Sequence, residues 1–239
     1  MSVLVERRFR GPNKSGNGGY SAGAVAAALG LPLGPAEVSL WSPPPLDSPL
    51  TTRADGDGDG DGGGVTILHG EQIVATARPG PVEVAVPEPV SMAEATDAAR
   101  RCPWLVDHPY PQCFVCGTDR ADGLRIFPGP VQGRRLAAAP WVPDESVANG
   151  GLVRPAVVWA SIDCPSLFGY GCFESWDALM LLGRFAAQVH RLPRVGEPCV
   201  VSGWALDRDG RKHDTAAALH TAEGELLAFS RALWITLKN

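Results

Sequence analysis

No apolar run in this chain of 239 residues reaches the length needed to cross a membrane. Met1 to Arg8 lack the apolar core of a secretory signal, so the expected compartment is the cytoplasm. No stripe of lysine or arginine stands out, which argues against nucleic acid as a partner. Six cysteines are too few for a secreted disulfide scaffold, and in a reducing cytosol they are expected to stay mostly thiols. The chain also lacks the Gly-x-Ser-x-Gly turn that raises a nucleophilic serine. Its histidines have no convincing partners: His69 falls at a hairpin tip, and His190, His213 and His220 fall on strands. A Ser–His–Asp hydrolase is therefore disfavoured.

The acidic excess is local. Asp55, Asp57, Asp59 and Asp61 supply four of the five net negative charges. They alternate with glycine over 55–64, a composition that buries no apolar surface and reads as a mobile hairpin tip. The tract mimics the start of a calcium loop, with Gly60 in the turn. Thr66 stands at the twelfth position, where a bidentate glutamate is required, and this argues against calcium. The rest of the chain is nearly neutral, and its 45% apolar content suits one large domain or two small ones.

What recurs is more informative. Asn17-Gly18-Gly19 leads into an apolar, Ala-rich stretch, and Asn149-Gly150-Gly151 does so again in the second half. A repeat at half the chain length points to one fold used twice. Two glycines let a ligand approach the backbone, and the free N–H groups of a helix start can hold a developing oxyanion.

Each half reads as a strand, a buried helix and a run of antiparallel strands. In the first, 3–9 is a strand, Tyr20 to Leu29 a helix stopped at Gly30, and 36–41 and 50–53 strands. A hairpin turns at His69-Gly70-Glu71, 82–86 is a further strand, and 91–101 is a helix with a Ser91/Glu94 capping box. In the second half, 124–127 and 135–140 are strands, 155–164 a helix, and 168–176 a glycine- and aromatic-rich connection. Strands follow over 178–190, 199–207, 213–221 and 226–236, with hairpin turns at Asp209-Gly210 and Glu223-Gly224.

This order resembles the hotdog fold, an α+β architecture in which a central helix is wrapped by a curved antiparallel sheet. Two tandem copies look like a double-hotdog protein of the acyl-CoA thioesterase superfamily, with units at 1–102 and 113–239 and a connector at 103–112. Cys113-Phe114-Val115-Cys116-Gly117, then Asp122-Gly123-Leu124-Arg125-Ile126, is similar to the approach to the first strand in thioesterases of phenylacetate degradation. Gly150-Gly151 through Asp163 looks like their acid-bearing helix. Gly11-Pro12 to Gly23 and Pro43-Pro44-Pro45-Leu46 are similar to uncharacterised actinobacterial members. The first helix departs from the pattern in having no acid, and neither Gly-Gly turn has the histidine that precedes it in some relatives.

The resemblance implies composite sites in which the helix start of one copy faces the middle of the other helix. One joins Asn17, Gly18 and Gly19 to Asp163, with Asn17 orienting water, the glycines supplying an amide donor and Asp163 acting as base or nucleophile. The other joins Asn149, Gly150 and Gly151, as substrate-binding residues, to the apolar end of the first helix near Leu29, and has no acid. The plainer reading makes Asn17 a helix cap and Asp163 a helix-terminal carboxylate satisfied by local N–H groups. Trp41, Trp141, Trp159, Trp176 and Phe168 are candidates to line an acyl tunnel, with Trp159 and Phe168 foremost as substrate-binding residues. Arg134, Arg135, Arg208, Arg211 and Lys212 are candidates for coenzyme A phosphates or a plain solvated face.

Cys113-x-x-Cys116 invites zinc, yet Cys102 and His108 are the only nearby candidates to complete it, at a spacing of no common zinc module. No metal and no cofactor are expected; the pair reads as packed thiols, and Cys164, Cys172 and Cys199 as small core residues. The function expected is hydrolysis of an acyl-CoA or related thioester of a small or medium acyl group. A non-catalytic acyl-binding protein of the same fold is the alternative, and a hydratase is third because no Asp…His pair opens a helix. A monomer already holds the basic pair of units, and a homodimer remains open.

Overall fold

The computed structural model describes residues 2–56, 63–174 and 179–238. Most of the Asp-Gly tract and Trp176 lie outside them. Eleven strands form one antiparallel sheet. The first half contributes β1 (Ser2–Val3), helix α1 (Gly18–Ala28), β2 (Ala36–Leu40), β3 (Leu50–Asp55), β4 (Gly64–His69), β5 (Gln72–Pro79) and helix α2 (Met92–Ala99). The second contributes β6 (Gly129–Pro130), β7 (Ala137–Trp141), a small hairpin β8 (Ala148–Asn149) and β9 (Leu152–Val153), and helices α3 (Pro155–Ser161) and α4 (Cys164–Gly171). Four long strands follow: β10 (Met180–Val189), β11 (Cys199–Asp209), β12 (Lys212–Thr221) and β13 (Leu226–Thr236).

The strand order is β1-β3-β4-β5-β2-β10-β13-β12-β11-β7-β6. In each half, the first strand after the central helix pairs with the fourth, and a strand that precedes the helix borders the second. The halves meet where β2 and β10 pair, with Phe185 opposite Val38 and Ala187 opposite Ala36. One continuous core results, with Phe9, Ile67, Phe114, Trp159, Ile162 and Phe185 fully enclosed. Burial of each such side chain contributes about 1.5–3 kcal/mol.

Helix α1 is Ala-rich and apolar around nearly its whole circumference, and most of it is buried or half-buried, with Ala27 exposed. Its contact with α3 is set by small residues. A Cβ on Gly23 would stand 2.8 Å from Ala156 Cα and 2.9 Å from Trp159 Cβ, and one on Gly19 would stand 2.8 Å from the Trp159 carbonyl oxygen. Positions four apart share a helix face, so the two glycines form one groove. Helix α2 starts with the expected capping box, Ser91 Oγ accepting the Glu94 amide and Glu94 Oε2 accepting the Ser91 amide. It packs on β6 and β7, where Ala95 and Ala98 join Val131, Ala138 and Trp204 in a smaller second core.

Several expected elements differ. Only the start of 3–9 is strand; Arg7–Phe9 is a 3₁₀ turn that tucks Phe9 against Tyr20, ring centroids 3.8 Å apart. Residues 82–86 form no strand, and prolines at 79, 81, 87 and 89 flank the segment closely on both sides. Residues 124–127 form none either: the Leu124 and Ile126 amides bond instead to the Phe114 and Val115 carbonyls of a turn. The helix expected at 155–164 breaks after Ser161, and the connection expected at 168–176 is helical up to Gly171. Pro165 explains the break, since it has no N–H for the Ser161 carbonyl. The Ser230 hydroxyl donates to the Ile162 carbonyl (3.2 Å) and the Ser166 hydroxyl to that of Asp163 (2.7 Å), so the bend is hydrogen-bonded.

Two stability predictions follow from this packing. Gly23→Val is expected to lower unfolding free energy by about 1–3 kcal/mol through overpacking of the α1–α3 groove. Gly80→Ala, at a site with open space around the Cβ, is expected to stay within about 0.5 kcal/mol; urea midpoints check both. Burial also holds His213 and His220 below the usual 6.5, His213 with help from Arg208. The fold thus favours their neutral forms, and this contribution is present above pH 6.5 and lost as the unfolded chain takes up protons below it. The fall in urea midpoint from pH 7.5 to 5.5 is expected to shrink in His220→Phe.

Candidate functional site

Asn17 is the N-cap of α1, and its side-chain oxygen accepts the Tyr20 amide at 2.9 Å. The cap fixes which way the side chain points, so Nδ2 is turned outward from the helix. There it donates to Asp163 Oδ2 at 2.8 Å. The Gly19 amide donates to the same oxygen at 2.9 Å. Asp163 sits at the break between α3 and α4 and makes no capping bond to its own helix. The local-satisfaction reading of Asp163 is therefore corrected: its N–H donors come from across the core, at the start of α1, and only the Cys164 thiol, at 4.0 Å, is a local partner among the described residues. Asn17 and Asp163 are 2% and 1% exposed. Oδ1 of Asp163 is buried and has no partner among the described residues.

Desolvation, with a smaller push from the charge of Cys113, raises the Asp163 carboxyl to about 7, against the lowering pull of the Gly19 and Asn17 hydrogen bonds. Hydrogen bonds to a charged group contribute about 1.5–3 kcal/mol each, while burying an ion costs several. Burial thus outweighs the two bonds.

A cavity of about 240 Å³ adjoins the carboxylate. Its walls are the 11–18 segment, Leu40 to Pro44 after β2, parts of Trp104 to Cys116, the α3–α4 break and the start of β10. Gly18, Asp163 and Phe168 border it, and Phe168 is held edge-on by Trp104 at 4.5 Å. Trp41 stands at its margin, 66% exposed. Met180, Leu182, Trp234 and Tyr110 also line it, none of which stood out in the sequence. For Met180, Leu182 and Trp234 the signal there is apolar character on strands, which every core residue shares, and Tyr110 falls in the connector, where no period marks it. No hydrogen bond to the Gly18 amide is found among the described residues, so the first helical N–H remains open at the cavity. A Cβ there would meet the Leu182 side chain at 2.7 Å. His108 also borders the space. Its Nδ1 accepts the Tyr110 amide (2.9 Å), so the neutral ring carries its hydrogen on Nε2.

The remaining candidates lie elsewhere. Asn149-Gly150-Gly151 does not start a helix: Gly150 and Gly151 have φ of +59° and +77° and turn the β8–β9 hairpin. Helix α3 begins four residues later at Pro155, with Arg154 as an N-cap whose side chain makes no capping bond and instead donates to the Val147 and Ser146 carbonyls. None of the three residues borders the cavity beside Asp163, and they offer no helix start to face Leu29. Trp159 is fully enclosed, its Nε1 donating to the Pro32 carbonyl and its ring against Phe185, and Trp141 is likewise a core residue. Arg134 donates to the Glu88 and Pro89 carbonyls, Arg135 pairs with Glu174, Arg208 reaches the Tyr170 hydroxyl and Arg211 the Thr236 carbonyl. Lysine and arginine are absent from the cavity wall among the described residues.

The cysteines hold a further correction. Cys113 and Cys116 are not simply packed at a turn, and Cys164 is not only a core filler: the three sulfurs lie within 4.8 Å of one another. Cys113 Sγ is 3.7 Å from Cys164 Sγ, and Asn17 Nδ2 is 3.9 Å and 3.7 Å from the two. Hydrogen bonds from the Cys116 and Cys164 thiols, and from the Cys116 and Val115 amides, hold Cys113 well below the ordinary thiol range. Cys102, with burial dominant, is pushed up to about 11.

No protein-family model matches the chain, and no curated protein matches it. Solved structures do. A conserved protein of unknown function with hot dog fold from Alicyclobacillus acidocaldarius aligns over 100% of this chain and 93% of its own, at 13% identity and a TM-score of 0.64. Acyl-CoA thioesterase II TesB2 from Mycobacterium marinum aligns over 94% and 90%, at 14% identity and a TM-score of 0.62. The tesB protein of Mycobacterium avium subs paratuberculosis aligns over 92% and 87%, at 11% identity and a TM-score of 0.57. Identities this low speak to fold alone. The chain has the α+β hotdog fold, and hotdog-fold thioesterases are among its structural neighbours.

The Asn17–Asp163 contact is open to a direct test. Asn17→Ala removes a helix cap and a carboxylate partner together, and is expected to lower stability by about 1–3 kcal/mol. Asp163→Asn keeps an acceptor for both donors and is expected to unfold at or above the wild-type midpoint. Thermal melts at pH 7.5 distinguish the two.

Proposed function

We propose that the chain is a tandem pair of hotdog units that hydrolyses the thioester of a small or medium acyl group, with coenzyme A as the expected thiol carrier. The helix-then-four-strands order seen in both halves supports the tandem reading. In it, the connector at 103–112 separates the units, and α2 of the first packs across on β6 and β7 of the second. The observation that carries the reaction is a buried carboxylate beside an apolar cavity, held by Asn17 and Gly19 through one oxygen, the other having no partner among the described residues.

In this reading the acyl group occupies the cavity, and its carbonyl oxygen points at the Gly18 amide. The Gly19 amide is engaged with Asp163, so Gly18 is the glycine left to polarise the carbonyl, helped by the positive end of α1. Asp163 takes a proton from a water as the water oxygen bonds to the carbonyl carbon. When the tetrahedral intermediate collapses, the carbon–sulfur bond breaks and the leaving thiolate takes the proton from Asp163. The products are a carboxylic acid and a free thiol. Asn17 holds the carboxylate in place throughout, and the apolar walls keep other water away.

The test is thiol release from a panel of acyl-CoA thioesters. Asp163→Asn is expected to lower kcat by about 10²–10⁴-fold with the fold intact. Asn17→Ala is expected to lower it by roughly tenfold through a misplaced carboxylate. Wild type that binds acyl-CoA without turnover would support a binding protein instead, and undiminished turnover in Asp163→Asn would remove Asp163 from the mechanism.

A further inference from the structure

Three buried thiols meet at the inner wall of the cavity. Cys113 and Cys116 come from one tight turn, closed by the Gly117 amide donating to the Cys113 carbonyl at 2.9 Å. A Cβ on Gly117 would collide with that turn, 2.6 Å from the Pro111 carbonyl oxygen, so the close winding needs glycine. Cys164 comes from the first position of α4. Four features of this group exceed what packing requires. Around a tetrahedral metal with bonds of about 2.3 Å, thiolate sulfurs stand about 3.7–3.8 Å apart; Cys113 and Cys164 are 3.7 Å apart already. The Val115 and Cys116 amides and the Asn17 amide nitrogen surround the sulfurs with donors, the outer arrangement that stabilises metal-bound thiolates. All three cysteines border the cavity, which gives an ion a way in. Finally, Asp163 Oδ1, in a carboxylate 1% exposed at the same wall, has no partner among the described residues.

We infer that Cys113, Cys116 and Cys164 bind one soft divalent cation of the zinc class as thiolates, with the fourth coordination position open to the cavity. The ligand chemistry selects the metal: thiolates favour zinc over calcium or magnesium, which take oxygen. Three protein ligands with an open position form a reactive type of site rather than a closed structural one. His108 does not complete the set, because its Nδ1 is committed to the Tyr110 amide and its Nε2 carries the hydrogen. Each ligand binds as the thiolate, so every S–H bond still present among the three is replaced by an S–metal bond and its proton goes to solvent, and uptake weakens as pH falls. This inference does not depend on the hydrolase reading, and its readouts do not use turnover.

The experiment is metal analysis of the full chain, purified without a polyhistidine tag or chelator after growth with zinc. One zinc per chain is expected, falling below a tenth in Cys116→Ser and in Cys164→Ser, while Cys199→Ser keeps it. Circular dichroism melts separate loss of a ligand from loss of the fold. A measurement on the unmutated protein covers the case in which the variants unfold. Cobalt(II) added to the folded wild type is expected to give a thiolate-to-cobalt charge-transfer band and intense tetrahedral visible bands, at one equivalent. Zinc is then expected to displace them and to protect three thiols from a disulfide reagent. Folded wild type that takes up neither metal, zinc retained in both folded variants, or a Cys113–Cys164 disulfide in place of the metal would each overturn the inference.

Discussion

The contact between the start of α1 and the carboxylate of Asp163 organises the centre of the molecule. It needs the α1 backbone to come within hydrogen-bond distance of a side chain on another helix, at 2.9 Å from the Gly19 nitrogen. Only a residue without a Cβ at position 19 allows that approach, because any side chain would collide with Asp163 itself. Gly23, one turn later, continues the same groove against Trp159. The two helices can therefore lie closer than ordinary side chains permit. A buried acid is tolerable here because α1 supplies two donors at the place where Asp163 is most enclosed.

The break in the second helix is the complementary constraint. A continuous helix would carry Asp163 and Cys164 in successive directions along one cylinder. Pro165 ends α3, and the bend turns both residues toward the start of α1. Ser230 and Ser166 accommodate the bend by bonding to its carbonyls, and the Trp234 indole N–H donates to Ser166 at 2.9 Å. The sheet thus supports the helix where its own bonds fail. Asp163, the cysteine cluster and the cavity share one location because one irregularity serves all three.

The sheet joins two similar halves that are used differently. Their strands follow the same order and meet at the β2–β10 pair. The helices diverge: α1 is unbroken and has no acid, whereas α3 and α4 are bent and present one. A symmetric pair of sites would need a capped helix start and a facing acid in each half. The second Asn-Gly-Gly is a hairpin turn with two positive φ values, so that half lacks the capped start. One composite arrangement remains, built from the first half's helix start and the second half's break.

Much of this was legible in the sequence. Strand alternation over 36–41 and 199–236, the hairpin turns at Gly70, Gly210 and Gly224, the Ser91 capping box and the stop at Gly30 depend on local rules of period and backbone freedom. The same holds for the Asn17 cap, whose bond to Tyr20 spans three residues. Pairing Asn17 and Gly19 with Asp163 came from a resemblance, because 144 positions separate the Gly19 amide from its acceptor and no local rule spans them. The second Asn-Gly-Gly was misread because cap and hairpin share a composition, and only the φ angles tell them apart. The meeting of Cys113 with Cys164, 51 positions away, left no trace in spacing. The sequence by itself determined the local elements and the residue types that chemistry needs. Tertiary structure decided which of them meet, because long-range contacts depend on how close two helices can pack and where one of them bends.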